Sequence, residues 1–137
     1  MLALLYVLAL TFGVVADPAD VSRVVAAARA HGLPPSHVAT LCFVESTFGH
    51  PHAHPSRHWC GAMVNVGHAG QPAAAAASLR SALDACGTLD RALLRYCYGR
   101  CTGPDPRGYI RAFRGTLRRM ALALARARAV GIADAAE

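Results

Sequence analysis

Glu45 is the residue of this sequence best suited to chemistry, and it is one of two glutamates among eight acidic residues in a chain of 137. It lies seven residues after Val38, on the apolar face of a predicted helix that also carries Leu41 and Cys42. We expect a carboxyl group there to be partly removed from water, which disfavours its charged form and raises its pKa. Such a group can donate its proton to a leaving oxygen, as the general acid of a glycosidase does. The alternative is a helix-end glutamate that turns to solvent.

A histidine cluster offers a different chemistry. Its four members, His50, His52, His54 and His58, lie within nine residues. Imidazole is a common ligand of zinc, copper and nickel, so a metal-binding secreted protein is an alternative prediction. The cluster lies in a proline-interrupted stretch with no cysteine pair or carboxylate at a zinc-site spacing. We therefore predict no metal and no cofactor.

The elements that position these side chains are predicted to be helices, and the fold class is mostly α. Helix start and stop signals place one helix from Asp17-Pro18 to His31-Gly32 and the Glu45 helix from Pro35. Residues 49 to 70 are rich in Gly, Pro and His and predict a long loop, with a small irregular or β element around Ala62–Val66. Three more helices are predicted: one from Pro72 to Cys86-Gly87, one from Thr88 to Gly99, and one from Asp105-Pro106 with a buried stripe of Phe113, Leu117, Met120 and Leu124.

The N-terminal segment has the pattern of a secretory signal. Residues 1–16 are almost wholly apolar, too few to span a bilayer, and end in the small residues Val14-Val15-Ala16 that a signal peptidase reads. We predict a signal peptide at 1–16 and one exported domain at 17–137, in the periplasm or outside the cell, with no stable membrane insertion after cleavage. A buried or membrane-anchoring first helix is the alternative.

Five cysteines suit an oxidising compartment, and an odd number leaves one thiol unpaired. Cys42 is predicted to be the free one, because a thiol within an apolar helical pattern behaves as a small hydrophobic side chain. Cys86 and Cys97 flank or occupy one short helix and are too far apart for a disulfide. We therefore predict a Cys60–Cys101 bridge.

Four motifs follow one another between about residues 32 and 113: GLPPSHVATLCFVESTFG, AHPSRHWCGAMVNV, LDRALLRYCYGRC and GYIRAF. In order and spacing they resemble those of the soluble lytic transglycosylase family and its goose-type lysozyme-like relatives. The run GLPPSHVATLCFVESTFG is similar to the apolar catalytic helix that delivers Glu-Ser, here Glu45-Ser46. The run AHPSRHWCGAMVNV is similar to the family's next loop, with matches at Ala53, Ser56, Gly61 and Met63.

Two later motifs continue the resemblance. The run LDRALLRYCYGRC resembles the helix that ends in Ala-Tyr-Asn-x-Gly, matched by Tyr96 and Gly99, and GYIRAF carries the final tyrosine, Tyr109. The sequence also departs from the family. Val64 replaces the loop glutamine, with Asn65 one residue later, and Cys97 replaces the asparagine after Tyr96. Asn65 can supply an amide for the sugar acetamido group, whereas Cys97 cannot.

The resemblance implies a lysozyme-like domain that cleaves the β-1,4 bond between N-acetylmuramic acid and N-acetylglucosamine in peptidoglycan. It also implies that one carboxylate suffices, because the acetamido group and the 6-hydroxyl of the substrate act as internal nucleophiles and leave a 1,6-anhydro end. Glu45 is then the single general acid and base. The expected substrate-binding residues are Ser46, Trp59, Met63, Asn65, Tyr96 and Tyr109.

Several alternatives stay open. The bond can instead be hydrolysed to a reducing end, as by a muramidase, or the departures can leave an inactive glycan-binding module. Tyr96 and Tyr109 can equally be core residues, and Trp59 can cover the edge of the core rather than stack on a sugar.

Composition and charge restrict the classes of partner that this protein can be expected to bind. With 54% hydrophobic and 16% charged residues, the chain is not expected to be disordered. Its formal charge is +6, and Arg111, Arg114 and Arg118 share one helix face that suits an anionic cell wall, although such a face is often only solvated. Because no aromatic-basic motif occurs, we predict peptidoglycan strands rather than nucleic acid as the partner, with an envelope-spanning assembly as a further one.

Overall fold

The computed structural model of the protein describes residues 1–46 and 58–132, and most of these residues are helical. The mostly α fold class is confirmed. No strand occurs in the described ranges, and the segment 61–66, where a β element was one prediction, is irregular. The helices are α1 (Leu2–Phe12), α2 (Pro18–Ala30), α3 (Pro35–Ser46), α4 (Gly67–Cys86), α5 (Leu89–Tyr98) and α6 (Tyr109–Ala129).

Helix ends follow the capping signals of the sequence. Asp17 accepts a hydrogen bond from the backbone N–H of Ala19 at 2.8 Å, with Pro18 at the first helical position of α2. Thr88 caps α5, and Gly99 ends it in the left-handed conformation. The predicted starts and stops of α2 and α5 and the predicted start of α3 are confirmed.

Two helices begin elsewhere than predicted. α6 begins at Tyr109 rather than at Asp105-Pro106, because both Asp105 carboxylate oxygens accept backbone N–H groups, from Tyr109 and Ile110, at 2.9 Å. α4 begins at Gly67, five residues before the expected start at Pro72. A proline inside a helix withholds the N–H that would bond the carbonyl four residues earlier, here that of His68.

The centre of the molecule is α3, which packs against α2, α4 and α6. Val38, Leu41 and Cys42 of α3 have no exposed surface. The predicted stripe of α6 is also found, since Phe113, Met120 and Leu124 are buried and Leu117 is partly buried. Burying side chains of this size stabilises the fold by about 1.5–3 kcal/mol each relative to leaving them exposed. This core fixes the end of α3 that carries Glu45.

α1 packs mainly on α6 and buries Ala3, Leu4, Val7 and Leu8. Its other face is exposed at Leu2, Tyr6 and Leu10. Among the helices that the structure describes, none is both long enough and apolar enough to cross a membrane. Removal of residues 1–16 stays a prediction.

The cysteine pairing differs from the prediction. Cys42 is bonded to Cys60 and Cys86 to Cys101, and the free thiol is Cys97. Cys42 is indeed buried in α3, but the chain at Cys60 lies directly against it, with 3.9 Å between the two Cα atoms. After Gly99 the chain returns to the end of α4, which brings Cys101 to Cys86. The Cys60–Cys101 bridge and the free Cys42 are therefore wrong, while two disulfides remain compatible with export.

Candidate active site

Glu45 lies in the last turn of α3, where the helix leaves the core. Its side chain is exposed rather than partly buried as expected, because α3 ends one residue later at Ser46. Its Oε1 atom accepts a hydrogen bond of 2.6 Å from the hydroxyl of Tyr109, the first residue of α6. The carboxylate is thus positioned by two helices, through residues that are 64 positions apart in the sequence.

Gly61 supports the other side of the Glu45 side chain. Its φ of 81° is in the left-handed region, and a Cβ atom built there would be 2.5 Å from the Glu45 Cδ and 2.7 Å from its Oε1. Carbon atoms do not approach so closely, so only glycine fits without displacing the carboxylate. The glycine matched by the resemblance thus has a physical role beside Glu45.

The backbone that carries Gly61 is fixed from α3 and α5. The Cys42–Cys60 disulfide joins it to α3 covalently. The Ser46 hydroxyl donates to the Trp59 carbonyl at 2.6 Å, and the Tyr96 hydroxyl donates to the Cys60 carbonyl at 2.7 Å. Ser46 and Tyr96 therefore support the segment beside Glu45 through their hydroxyl groups.

Gln71, which was not predicted from the sequence, also holds this segment. Gln71 has no exposed surface, and its amide Nε2 donates to the Ala62 carbonyl at 2.9 Å. His58 approaches the same carbonyl with Nδ1 at 2.8 Å. The sequence signal of Gln71 is an amide directly before Pro72, and with α4 beginning at Gly67 this amide lies in the second turn of the helix rather than before its start.

Both site tyrosines stay protonated far above neutral pH. Burial, followed by the negative charge of Glu45, raises the pKa of Tyr96 well above its ordinary value. Burial also raises the pKa of Tyr109, and the Glu45 charge and hydrogen bond add to that effect. Tyr109 is therefore a neutral donor to a carboxylate.

Trp59 does not contact solvent. Its ring is fully buried and stacks on the His68 ring, with 5.0 Å between ring centroids. Its indole N–H donates to the His68 carbonyl at 2.9 Å, the group that Pro72 leaves without a helical donor. The expected sugar contact of Trp59 is therefore wrong, and the alternative of a core position is confirmed.

Met63, Asn65 and Cys97 differ in exposure and in contacts. Met63 is 81% exposed and borders an open cleft beside Tyr96. Asn65 is exposed, and its side chain makes no hydrogen bond with another described residue. Cys97 is half-buried, and its sulfur accepts a hydrogen bond from the Arg107 guanidinium at 3.3 Å. Burial, more than any other cause, raises the pKa of this thiol.

Some predictions fall on residues 47–57, outside the described part of the chain. These are the matches at Ala53 and Ser56 and the histidines His50, His52 and His54. Within residues 1–46 and 58–132, no three His, Cys, Asp or Glu side chains come together as a metal site would require.

The arginine face of α6 borders a shallow cavity of about 560 Å³. Arg111, Arg114 and Arg118 line it together with Asp90, which pairs with Arg114 at 2.7 Å. The exposed pair is worth little in water.

Neither a protein-family model, nor a curated protein, nor a solved structure matches this chain. The functional assignment therefore depends on the chemistry of the Glu45 site.

Proposed function

We propose that this protein cleaves the β-1,4 bond between N-acetylmuramic acid and N-acetylglucosamine of peptidoglycan as a lytic transglycosylase, in the periplasm or outside the cell. The supporting observation is the geometry of one exposed carboxyl group. Tyr109 holds its Oε1, and no hydrogen bond from a described residue reaches its Oε2. Oε2 can therefore face the glycosidic oxygen of a bound glycan strand.

The surroundings of the other acids favour a mechanism with one carboxylate. Asp105 uses both oxygens to cap α6 and also accepts from the Tyr98 hydroxyl at 2.7 Å, and Asp90 pairs with Arg114. Most glycosidases need a second carboxylate roughly 5–10 Å from the first. Asp105 and Asp90 are instead engaged by other groups, which leaves Glu45 as the carboxyl group available for the reaction.

In the proposed reaction, the Glu45 carboxyl group donates its proton to the glycosidic oxygen as the bond to C1 of the muramic acid breaks. The acetamido oxygen of the same sugar forms a bond to C1. The 6-hydroxyl then displaces it, and its proton returns to the Glu45 carboxylate, which closes the 1,6-anhydro ring and regenerates the acid. Tyr109 holds the carboxyl group in place throughout.

An inactive glycan-binding module is the second candidate. One reason is Cys97, which stands where the family pattern has asparagine and is hydrogen-bonded by Arg107. The other is Asn65, whose side chain no described hydrogen bond directs toward Glu45. If a water molecule takes the place of the 6-hydroxyl, the enzyme is a muramidase.

The test is mass spectrometry of muropeptides released from purified sacculi by the full chain and by Glu45→Gln. We expect anhydro-ended products from the native protein and none from Glu45→Gln. Asp84→Asn is the matched control, because Asp84 is an exposed carboxylate paired only with Arg80 on α4. Reducing ends would identify a muramidase. No release with glycan binding retained would favour the inactive module.

A further inference from the structure

An open cleft of about 520 Å³ lies between α4, α5 and the segment after Cys60. Gly61 and Met63 border it on one side, Ser78 and Ser81 of α4 on another, and Arg95 and Tyr96 of α5 on a third. Of these residues, only Met63 and Tyr96 are predicted from the sequence to bind substrate. The proposed cleavage step uses Glu45 and Tyr109, which are not among the described residues that line the cleft.

The cleft is continuous with the Glu45 site, because two residues belong to both. The Glu45 side chain lies against Gly61, and Tyr96 fixes the carbonyl of Cys60, the residue before Gly61. A ligand that places a glycosidic oxygen at Glu45 therefore has a neighbouring group at the entrance of the cleft.

The chemistry of the lining suits an anion. Arg95 is exposed and makes no ion pair or side-chain hydrogen bond with a described residue, unlike Arg80 and Arg114. Ser78 and Ser81 are about one turn apart on α4 and line the same space, and each carries a hydroxyl group that can donate and accept hydrogen bonds. No carboxylate is among the described residues that line the cleft. A guanidinium and two hydroxyls together match a carboxylate next to peptide groups.

We propose that this cleft binds the stem peptide of peptidoglycan, with Arg95 pairing to one of its carboxylates and Ser78 and Ser81 bonding to its amides. The inference rests on the proposed function, because it takes peptidoglycan as the substrate. The stem peptide substitutes the lactyl group of N-acetylmuramic acid, the sugar whose C1 must lie at Glu45. The peptide therefore leaves the glycan next to the cleaved bond, where the cleft begins.

The test uses two soluble disaccharide-peptides that differ only in whether the stem carboxylates are free or converted to amides. Both are titrated by calorimetry into the full chain carrying Glu45→Gln, so that no cleavage occurs. We expect the free carboxylates to bind about 5- to 20-fold more tightly, as a charge-assisted hydrogen bond allows. Adding Arg95→Gln should abolish this preference.

Arg91→Gln is the matched control, because Arg91 is also exposed on α5, one turn earlier, and does not line the cleft. It should leave the preference unchanged. Equal affinity for the two ligands, or a preference that survives Arg95→Gln, overturns the inference. This outcome is distinct from failure of the proposed function, which is failure of the native chain to cleave sacculi, because the titration needs no catalysis.

Discussion

At the scale of single residues, Gly61 determines how closely the segment after Cys60 can approach Glu45. We predict that Gly61→Ala lowers kcat/KM on sacculi at least tenfold, because the new Cβ would be 2.5 Å from the Glu45 Cδ and must push the carboxyl group away. The left-handed backbone also costs about 1–2 kcal/mol of stability with any side chain.

Gly87→Ala separates these two effects. Gly87 has a φ of 84°, nearly that of Gly61, but nothing lies within 4 Å of a Cβ built there. Both variants should lose similar stability in urea unfolding, and only Gly61→Ala should lose muropeptide release. Equal activity of the two variants would show that the contact between Gly61 and Glu45 has no part in catalysis.

Part of the site could be predicted residue by residue. The helical spacing and the resemblance identified Glu45 and the two tyrosines, and the structure brings Tyr109 to the carboxylate and Tyr96 to the adjoining backbone. Trp59 could not be assigned in the same way. An isolated tryptophan in a loop has the same local pattern whether it stacks on a sugar or lies in the core, and only its neighbours distinguish the two.

At the scale of elements, one hydrogen bond in the first turns of α4 is supplied by Trp59 in place of the backbone N–H that Pro72 lacks. Because Pro72 has no N–H, the His68 carbonyl accepts from the Trp59 indole instead. We predict that Trp59→Phe costs about 1–3 kcal/mol for the carbonyl left without a partner, besides the smaller ring. Pro72→Ala restores a helical N–H to that carbonyl, so the double variant should recover part of this loss.

A double-mutant cycle measured by urea unfolding of the four proteins checks this hydrogen bond. The coupling free energy should be about 1 kcal/mol or more, with the double variant more stable than the sum of the single changes. Strictly additive costs would mean that the two groups do not share the His68 carbonyl.

Helix existence was predictable because it depends on local patterns, whereas disulfide pairing was not. Asp17-Pro18, Thr88 and Gly99 mark helix ends by contacts within a few residues. Cys42 bonds to Cys60, 18 residues later, through a tertiary contact that the sequence next to either cysteine does not indicate. The role of Gln71 could not be predicted for the same reason, since its hydrogen bond to the Ala62 carbonyl depends on tertiary structure rather than on helical spacing.

At the scale of the whole molecule, the charge composition leaves tyrosine as the main type of side chain that titrates at alkaline pH. All fourteen basic residues are arginines, which stay charged at every accessible pH. Alkaline titration of the folded chain therefore involves no lysine, and replacing Cys97 with serine removes the free thiol. In such a chain, the pH dependence of stability above neutral reports mainly on tyrosine, with two of the tyrosines placed beside Glu45.

We predict that the unfolding free energy of Cys97→Ser is nearly constant from about pH 8 to about pH 10 and then falls. Tyr96 and Tyr109 lose their protons near pH 10 in the unfolded chain but keep them in the folded one, where burial and Glu45 raise each pKa. Above that pH the unfolded state binds fewer protons, so stability falls by about 1.4 kcal/mol per pH unit for each tyrosine. Urea unfolding of Cys97→Ser between pH 8 and about pH 11.5 measures this slope. Adding Tyr96→Phe and Tyr109→Phe should remove the part of the slope due to these two tyrosines and leave the part due to Tyr98, whose pKa is also raised. An unchanged slope would show that other groups control alkaline unfolding.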